Sequence, residues 1–251
     1  MKFLNLLLLS AALTLSAVSF SATQITIATD VWEGFSNEDG TGYYTDVFKA
    51  IYEPKGIAVV VKYLPYKRAR DMLESGNVDV MLGPYKGEQV DGNYSAHPLE
   101  MDVVDAAVTP AMAASWQGIE SLEGKKVGAI SGNEFDQYAS VKMQYREVSN
   151  LKSLLKMLNH GRIDAVLDYE ADIVSMQQKL GDKVSYVIEK GVMKNSGYAV
   201  FIKSDHGEKM LNIYNEAYLE LHKNGVLKSL LIENTGTLEG YPTIESLAVE
   251  L

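Results

Sequence analysis

Two segments with the same pattern place candidate binding residues directly after a predicted strand. Segments 76–82 and 161–167 each begin with a glycine and pass through an Asp into apolar residues. The first continues into Gly83-Pro84-Tyr85 and the second into Asp168-Tyr169-Glu170. Carboxylates bind cations by charge-assisted hydrogen bonds, and aromatic rings cover apolar or cationic groups. The chemistry that these residue types indicate is non-covalent binding of a small molecule.

The sequence lacks the residue patterns that are typical of metal sites and of covalent catalysis. Its four histidines, His97, His160, His206 and His222, are scattered, and it contains no cysteine. Metal-binding residues need close spacing, and we find neither a Gly-rich phosphate loop nor a nucleophile elbow. We therefore expect no metal, no cofactor and no enzyme activity.

The repeated segment predicts one α/β unit built twice. In each copy a helix ends at the glycine, which adopts the left-handed conformation, and the apolar run forms a strand buried on both faces. Strands at 25–29, 57–63 and 78–82 alternate with helices that contain 44–51 and 66–75. This β-α-β-α-β order predicts a parallel sheet with right-handed crossovers.

The second copy predicts the same order of elements. A strand at 127–130 precedes Ser131-Gly132-Asn133-Glu134, whose Ser-x-x-Glu spacing predicts the start of a helix. A leucine stripe at 151–158 predicts the next helix, and the repeated strand follows. A strand at 198–202 and a long helix form a tail that we assign to the first unit.

The first 22 residues predict a signal peptide. Lys2 precedes an apolar run at 4–18, and small residues at 19–22 suit cleavage. An uncleaved anchor is the alternative, but the run is short for a membrane span. Because the leader lacks a cysteine, we expect a periplasmic protein that is not a lipoprotein.

The net charge of −10 at pH 7 argues against binding to nucleic acid. Phosphate backbones are bound by clustered Lys and Arg, and no basic run occurs here. No stretch after the leader reaches the length of a spanning helix, so we expect no direct membrane insertion.

Several segments in order resemble the family 3 extracellular solute-binding proteins, the polar amino-acid-binding group. The segments are Trp32-Glu33-Gly34-Phe35, Gly42-Tyr43-Tyr44-Thr45-Asp46, Leu73 to Asp79, Tyr94-Ser95-Ala96-His97-Pro98, Leu122 to Gly128, Gly161 to Asp168, and Asn224-Gly225-Val226-Leu227. The resemblance covers nearly all of the chain after the leader, and it rests on their joint order.

The resemblance implies a type II periplasmic-binding-protein fold, with two α/β lobes joined by two hinge crossings. We place the first lobe at 23–108 and 200–251, the second lobe at 109–199, and the crossings near 103–110 and 193–201. The implied function is capture of a small polar ligand by a monomer that delivers it to an ABC permease. A sensor protein in the membrane is the alternative partner, and a cyclohexadienyl-dehydratase-like enzyme is a third possibility.

The resemblance also assigns roles to residues of the second lobe. Asp168 matches the acidic residue that takes the ligand's ammonium group, and the alternative is that it is solvated or caps a helix. Ser131, Gly132 and Asn133 match the backbone that takes the ligand's carboxylate, where free N–H groups attract an anion. An ordinary helix cap explains the same residues.

The first lobe departs from the family pattern. Where amino-acid-binding members have an arginine that clamps the carboxylate, counting back from Tyr94 gives Glu88. A carboxylate cannot replace a guanidinium group. Lys86 or Arg68 would have to supply the positive charge, unless both are solvated. With Asp168 and Glu170 nearby, a cationic or amine ligand becomes a rival to an α-amino acid.

Aromatic residues complete the predicted site. The chain contains 15 Tyr and two Trp. Trp32 and Tyr85 each follow a predicted strand of the first lobe, where their rings can sandwich an apolar or cationic ligand. Gly83 lies between the repeated strand and Tyr85, so we include it in the predicted site.

Overall fold

The computed structural model describes residues 23–181 and 185–242. The predicted signal peptide, 1–22, and the end of the predicted first lobe, 243–251, lie outside the described residues. No helix in the described part of the chain is long and apolar enough to cross a membrane.

The described residues form a mixed sheet whose strand order is β2-β1-β3-β9-β5-β8-β6-β7, with β4 paired to β9. The strands are β1 (Gln24–Thr29), β2 (Ala58–Tyr63), β3 (Val80–Tyr85), β4 (Asn93–Tyr94), β5 (Glu100–Val108), β6 (Lys126–Ile130), β7 (Gln144–Val148), β8 (Ala165–Asp168) and β9 (Val187–Phe201).

Helices cover both faces of the sheet. They are α1 (Tyr43–Tyr52), α2 (Tyr66–Glu74), α3 (Pro110–Ala113), α4 (Leu151–Asn159), α5 (Glu170–Leu180), α6 (Asp205–Lys223) and α7 (Val226–Thr235). Short 3₁₀ turns occur at Glu53–Lys55, Lys86–Glu88, Ile119–Leu122 and Phe135–Gln137.

The predicted duplication is confirmed at the level of the elements. β1 pairs in parallel with β2 and β3, and β6 pairs in parallel with β7 and β8. The helices that precede the repeated strands, α2 and α4, are followed by Gly76 at φ 76° and Gly161 at φ 64°. Both glycines therefore adopt the left-handed conformation that the sequence predicts.

Two long strands connect the repeated units. β5 pairs antiparallel with β9 along its length and with β8 at Asp105–Val108, while β9 continues to pair with β3. The strand predicted at 198–202 is thus the last part of a longer strand that begins at Val187. Charged residues in its first half obscured the apolar pattern, and pairing with β5 keeps that half extended.

Each repeated unit has apolar clusters on both faces of the sheet. We call the unit around β1, β2 and β3 the first lobe; helices α1, α6 and α7 pack on one face and α2 on the other. We call the unit around β6, β7 and β8 the second lobe, and α4 and α5 cover one of its faces. β5 contributes Val104, Ala106 and Val108 to the other face.

One edge of β5 is covered by the end of the described chain. β8 pairs with β5 from Asp105 onward, so no strand among the described residues pairs with the preceding residues of β5 on that side. The N–H of Met101 instead donates to the carbonyl of Gly240 at 2.8 Å. The segment after α7 therefore lies along this edge within the first lobe.

Candidate ligand-binding cleft

Two carboxylates of β5 lie between the lobes. Glu100 and Asp102 are two residues apart on an extended strand, so their side chains point to the same face. Tyr44 of α1, in the first lobe, donates its hydroxyl to Glu100. The strand that joins the lobes thus presents paired acids to the space between them.

Asp102 is bonded to both lobes. The hydroxyl of Tyr85, at the end of β3, donates to Asp102 Oδ2. Tyr169, directly after β8, donates to the same oxygen at 2.9 Å. One carboxylate on the connecting strand therefore links the ends of the two repeated strands.

Burial makes both carboxyls weaker acids than usual. Desolvation, followed by the charge of Asp102, raises the pKa of Glu100 to about 8, and the Tyr44 hydrogen bond opposes this shift. Desolvation also raises the pKa of Asp102, although the hydroxyls of Tyr85 and Tyr169 lower it. A nearby positive charge would favour the ionised form of both groups.

Aromatic rings of the first lobe pack around Trp32 beside Tyr44. The Trp32 ring lies 6.1 Å from the ring of Tyr44, edge-on, and 6.1 Å from that of Tyr66. Gly83 has φ 92° and lies beneath Trp32, since a Cβ there would be 2.9 Å from the indole. Glycine thus satisfies both the backbone conformation and the close approach of the ring.

Two rings of the second lobe pack against Tyr85 and Tyr169. The Tyr138 ring meets the Tyr85 ring edge-on, with centroids 4.9 Å apart. Phe135 packs edge-on against Tyr169 at 6.4 Å. Burial and the charges of Glu88 and then Glu134 raise the pKa of Tyr138 to about 12. Residues of both lobes therefore converge on these rings.

Glu88 forms a buried network at the first-lobe side of the cleft. Its Oε2 accepts hydrogen bonds from the Tyr66 hydroxyl at 2.6 Å and from Arg70 at 2.7 Å. Its Oε1 accepts the backbone N–H of Tyr85 at 3.0 Å. The guanidinium group beside Glu88 thus comes from Arg70 of α2, a residue that was not predicted.

The two cations predicted from the sequence lie on α2 and in the 3₁₀ turn after β3. Arg68 is exposed on α2. The exposed Lys86 has its ammonium group 4.7 Å from the centre of the Tyr198 ring.

The helix predicted at Ser131 is wrong. Glu134 adopts a left-handed conformation at φ 47°, and a 3₁₀ turn follows at Phe135–Gln137. The carboxylate of Glu147, on β7, accepts the N–H of Gly132 at 3.0 Å and that of Glu134 at 2.8 Å. This long-range contact replaces the predicted cap. Ser131 is exposed and Asn133 is partly buried beside it.

Asp168 is buried at the carboxyl end of β8, with 1% of its surface exposed. Its Oδ1 accepts the N–H of Tyr169 at 2.9 Å, whereas its Oδ2 has no hydrogen-bond partner. Desolvation raises its pKa to about 6. Asp168 does not cap α5, because Asp105 accepts the N–H of Glu170 at 2.8 Å.

Asp168 and Glu170 lie away from the Asp102 cluster. Asp168 shares the face of Val166, which packs under α4 and α5, whereas Tyr169 reaches across to Asp102 from the opposite face. Glu170 forms an ion pair with Lys190 at 2.7 Å. The structure brings together Trp32, Gly83 and Tyr85, and the ligand-binding roles predicted for the other residues stay predictions.

Glu100, Asp102 and Arg70 were not among the predicted site residues. The sequence signal for the two acids lies in Glu100-Met101-Asp102-Val103, where acidic and apolar residues alternate as in a strand with one polar face. No such pattern marks Arg70, because its role depends on Glu88, which is distant in sequence. Within the described residues, no group of three or more His, Asp or Glu side chains could hold a metal ion.

The lobes, the crossing strands and the cleft define the class of fold, which is the bilobed α/β fold of type II periplasmic binding proteins. No family model and no curated protein sequence matches the chain. The comparison with solved structures, in contrast, gives matches that cover most of it.

Three solved structures illustrate the likeness. A substrate-binding protein of an ABC uptake transporter from Streptococcus pneumoniae, with bound histidine, has TM-score 0.58 and 18% identity and covers 87% of this chain and 94% of its own. The GluR0 ligand-binding core with L-glutamate has TM-score 0.65 and 14% identity, covering 85% and 99%. AncCDT-1, an ancestral amino acid-binding protein described as a precursor of cyclohexadienyl dehydratase, has TM-score 0.60 and 18% identity, covering 84% and 94%. At these identities the likeness shows the fold.

Proposed function

We propose that this chain is a periplasmic receptor that captures a small amine-bearing ligand, an amino acid or a related compound, between two lobes. The observation that carries the proposal is the bonding of Asp102, on a connecting strand, to Tyr85 of the first lobe and Tyr169 of the second. A ligand that contacts both lobes stabilises the closed arrangement and shifts the equilibrium toward it.

The charge and the rings of the cleft support an amine as the bound group. Asp102, and Glu100 once a bound cation favours its ionised form, supply negative charge, and Trp32 and Tyr85 supply aromatic surface. A cation gains both from a partly desolvated carboxylate and from the face of an aromatic ring.

Delivery to an ABC permease is the proposed second step. The solved structures of this fold include substrate-binding proteins of such transporters. Uptake of the ligand by producing cells, compared with cells that lack the protein, tests this step. Unchanged uptake together with a ligand-dependent response would favour a membrane sensor as the partner.

Calorimetric titration of the purified protein with amino acids, amines and carboxylates tests ligand capture. We expect at least one amine-bearing compound to bind, and Asp102→Asn to weaken its binding about tenfold or more, since hydrogen bonds to charged groups are strong. Asp164→Asn is the matched control, because Asp164 accepts the N–H of Lys126 at 2.8 Å at the start of β8. Absence of binding by every amine-bearing compound would contradict the proposal.

An enzymatic function is the second candidate, because Glu100 is an acid that keeps its proton near neutral pH. Incubation of the protein with prephenate, followed by chromatography of the products, tests this candidate. Turnover that disappears in Glu100→Gln would favour it over the receptor. We expect no turnover.

A further inference from the structure

We propose that the cleft binds a cationic ligand that carries no carboxylate group, because the protein's own carboxylates Glu88 and Glu147 already lie against hydrogen-bond donors of both lobes. This inference rests on the proposed function and narrows it to simple amines or guanidinium compounds.

In the first lobe, Glu88 fills the place that a ligand carboxylate would need. It accepts hydrogen bonds from Nη2 of Arg70, from the hydroxyl of Tyr66 and from the N–H of Tyr85 at 2.6 to 3.0 Å. The Glu88 side chain is 9% exposed, so the network is largely shielded from water. A second carboxylate approaching Arg70 would meet the charge of Glu88 and lose its own hydration.

In the second lobe, Glu147 fills the corresponding place. The loop after β6 turns the N–H groups of Gly132 and Glu134 toward one point, where they bond Glu147 at 3.0 and 2.8 Å. The Tyr145 hydroxyl also donates to Glu147, at 3.3 Å. These backbone donors would otherwise suit an anion, and here they are already satisfied within the chain.

The groups that remain for a ligand are acidic and aromatic. In the described contacts, the acids Glu100 and Asp102 are hydrogen-bonded by tyrosine hydroxyls. A cation satisfies such carboxylates by charge-assisted hydrogen bonds.

Pairs of compounds that differ by one carboxylate test the inference. Agmatine and arginine, cadaverine and lysine, and putrescine and ornithine are titrated calorimetrically into the full protein as purified from its exported form. We expect the decarboxylated member of a pair to bind about tenfold or more tightly than the amino acid. The carboxylate of the amino acid would lie beside the like charge of Glu88 or Glu147, which weakens its binding.

The outcomes separate this inference from the proposed function. An amino acid that binds as tightly as its amine, or more tightly, overturns the inference and leaves the receptor function standing. Absence of binding by all six compounds overturns the inference and also counts against amine capture.

Variants of the two carboxylates show whether they cause the discrimination. Glu88→Gln removes the negative charge beside Arg70, and Glu147→Gln weakens the hold on Gly132 and Glu134. We expect each variant to narrow the difference between amine and amino acid by about threefold or more, mainly through tighter binding of the amino acid. If both variants fold and the difference in affinity between amine and amino acid is unchanged in each, the inference is overturned.

Glu123→Gln is the matched control. Glu123 also accepts a backbone N–H, that of Lys142 at 3.0 Å, but near the opposite end of β6 from Gly132. We expect this variant to keep the discrimination of the unmodified protein. Circular dichroism identifies any variant that fails to fold, and the wild-type titrations remain decisive in that case.

Discussion

At the scale of single residues, Glu100 and Asp102 show how neighbours set the state of a carboxyl group. Both are desolvated, but Asp102 accepts two tyrosine hydroxyls and Glu100 accepts one. Hydrogen bonds to the charged form favour ionisation. Glu100, with a pKa of about 8, therefore keeps its proton near neutral pH in the absence of a cation.

The affinity for an amine ligand should rise with pH. A bound cation favours ionised Glu100, whose pKa is about 8 without it, so binding releases a proton below that pH. We expect affinity to increase about tenfold between pH 7 and pH 9 for an amine that stays charged. Titrations in two buffers of different ionisation enthalpy measure the released proton. If the affinity does not change with pH, or changes equally in Glu100→Gln, ionisation of Glu100 does not accompany amine binding.

The stability of the folded protein should depend on the ionisation of Glu100 in the opposite sense, falling as pH rises while the affinity for an amine increases. Because the pKa of Glu100 rises from 4.5 to about 8 on folding, the folded state holds a proton that the unfolded state has lost. Its contribution to stability is present at low pH and is lost as pH rises through this range.

Glu100→Gln should therefore melt at a higher temperature than the unmodified protein at pH 9 and at a similar temperature at pH 4. In a chain of this size each kcal/mol corresponds to about 2 to 4 °C. Calorimetric melting at both pH values measures the difference. If the melting temperatures of Glu100→Gln and the unmodified protein differ by the same amount at pH 4 and pH 9, the raised pKa of Glu100 is contradicted.

At the scale of elements, local patterns predicted most of the repeated unit. Glycines after α2 and α4 ended those helices, and apolar runs predicted β3 and β8. These features depend on residues that are close in sequence. The first half of β9 was not predicted, because its charged residues stay extended through pairing with β5.

The error at Ser131 has the same origin. A Ser-x-x-Glu pattern favours a helix only while the first backbone N–H groups lack a better partner. Here Glu147 supplies that partner from β7, and Glu134 turns into the left-handed region. Only the folded sheet brings β7 beside this loop, so the sequence pattern alone could not reveal it.

Gly83 at the end of β3 should tolerate no larger residue. Gly83→Ala imposes a side chain at φ 92° and a contact of 2.9 Å with the Trp32 ring. We expect a loss of about 1 to 3 kcal/mol in the free energy of unfolding. Urea titration followed by tryptophan fluorescence measures it.

Gly40→Ala separates backbone strain from the ring contact in this experiment. Gly40 has φ 86°, and a Cβ there would meet nothing within 4 Å. It should lose less stability than Gly83→Ala and leave the native fluorescence unchanged. Equal losses in the two variants would show that the Trp32 contact contributes nothing.

At the scale of the whole molecule, Asp102 couples the lobes through hydroxyls that originate on opposite sides. Tyr85 and Tyr169 donate to one oxygen, and Tyr85 also packs against Tyr138. Trp32, Gly83 and Tyr85 were predictable because they follow strands of the repeat. The acids of β5 and the pairing of Arg70 with Glu88 were not, because they depend on how the lobes meet.

Removal of the Tyr169 hydroxyl should favour separation of the lobes. Tyr169→Phe keeps the ring beside Phe135 but removes a bond of about 1.5 to 3 kcal/mol to a charged acceptor. We expect a larger radius of gyration in small-angle X-ray scattering. Tyr94→Phe, whose hydroxyl bonds the Tyr85 carbonyl within the first lobe, should leave the radius unchanged.

The contact between Met101 and Gly240 has a consequence for self-association. Unpaired N–H and C=O groups along a strand edge are a template on which another chain can add a strand. The edge of β5 in the first lobe would offer such a template, and the segment after α7 bonds to it instead. Gly240 suits this position because a Cβ would lie 2.9 Å from the Met101 carbonyl oxygen. The Met101 N–H, bonded to Gly240, is thus unavailable to a strand of another chain.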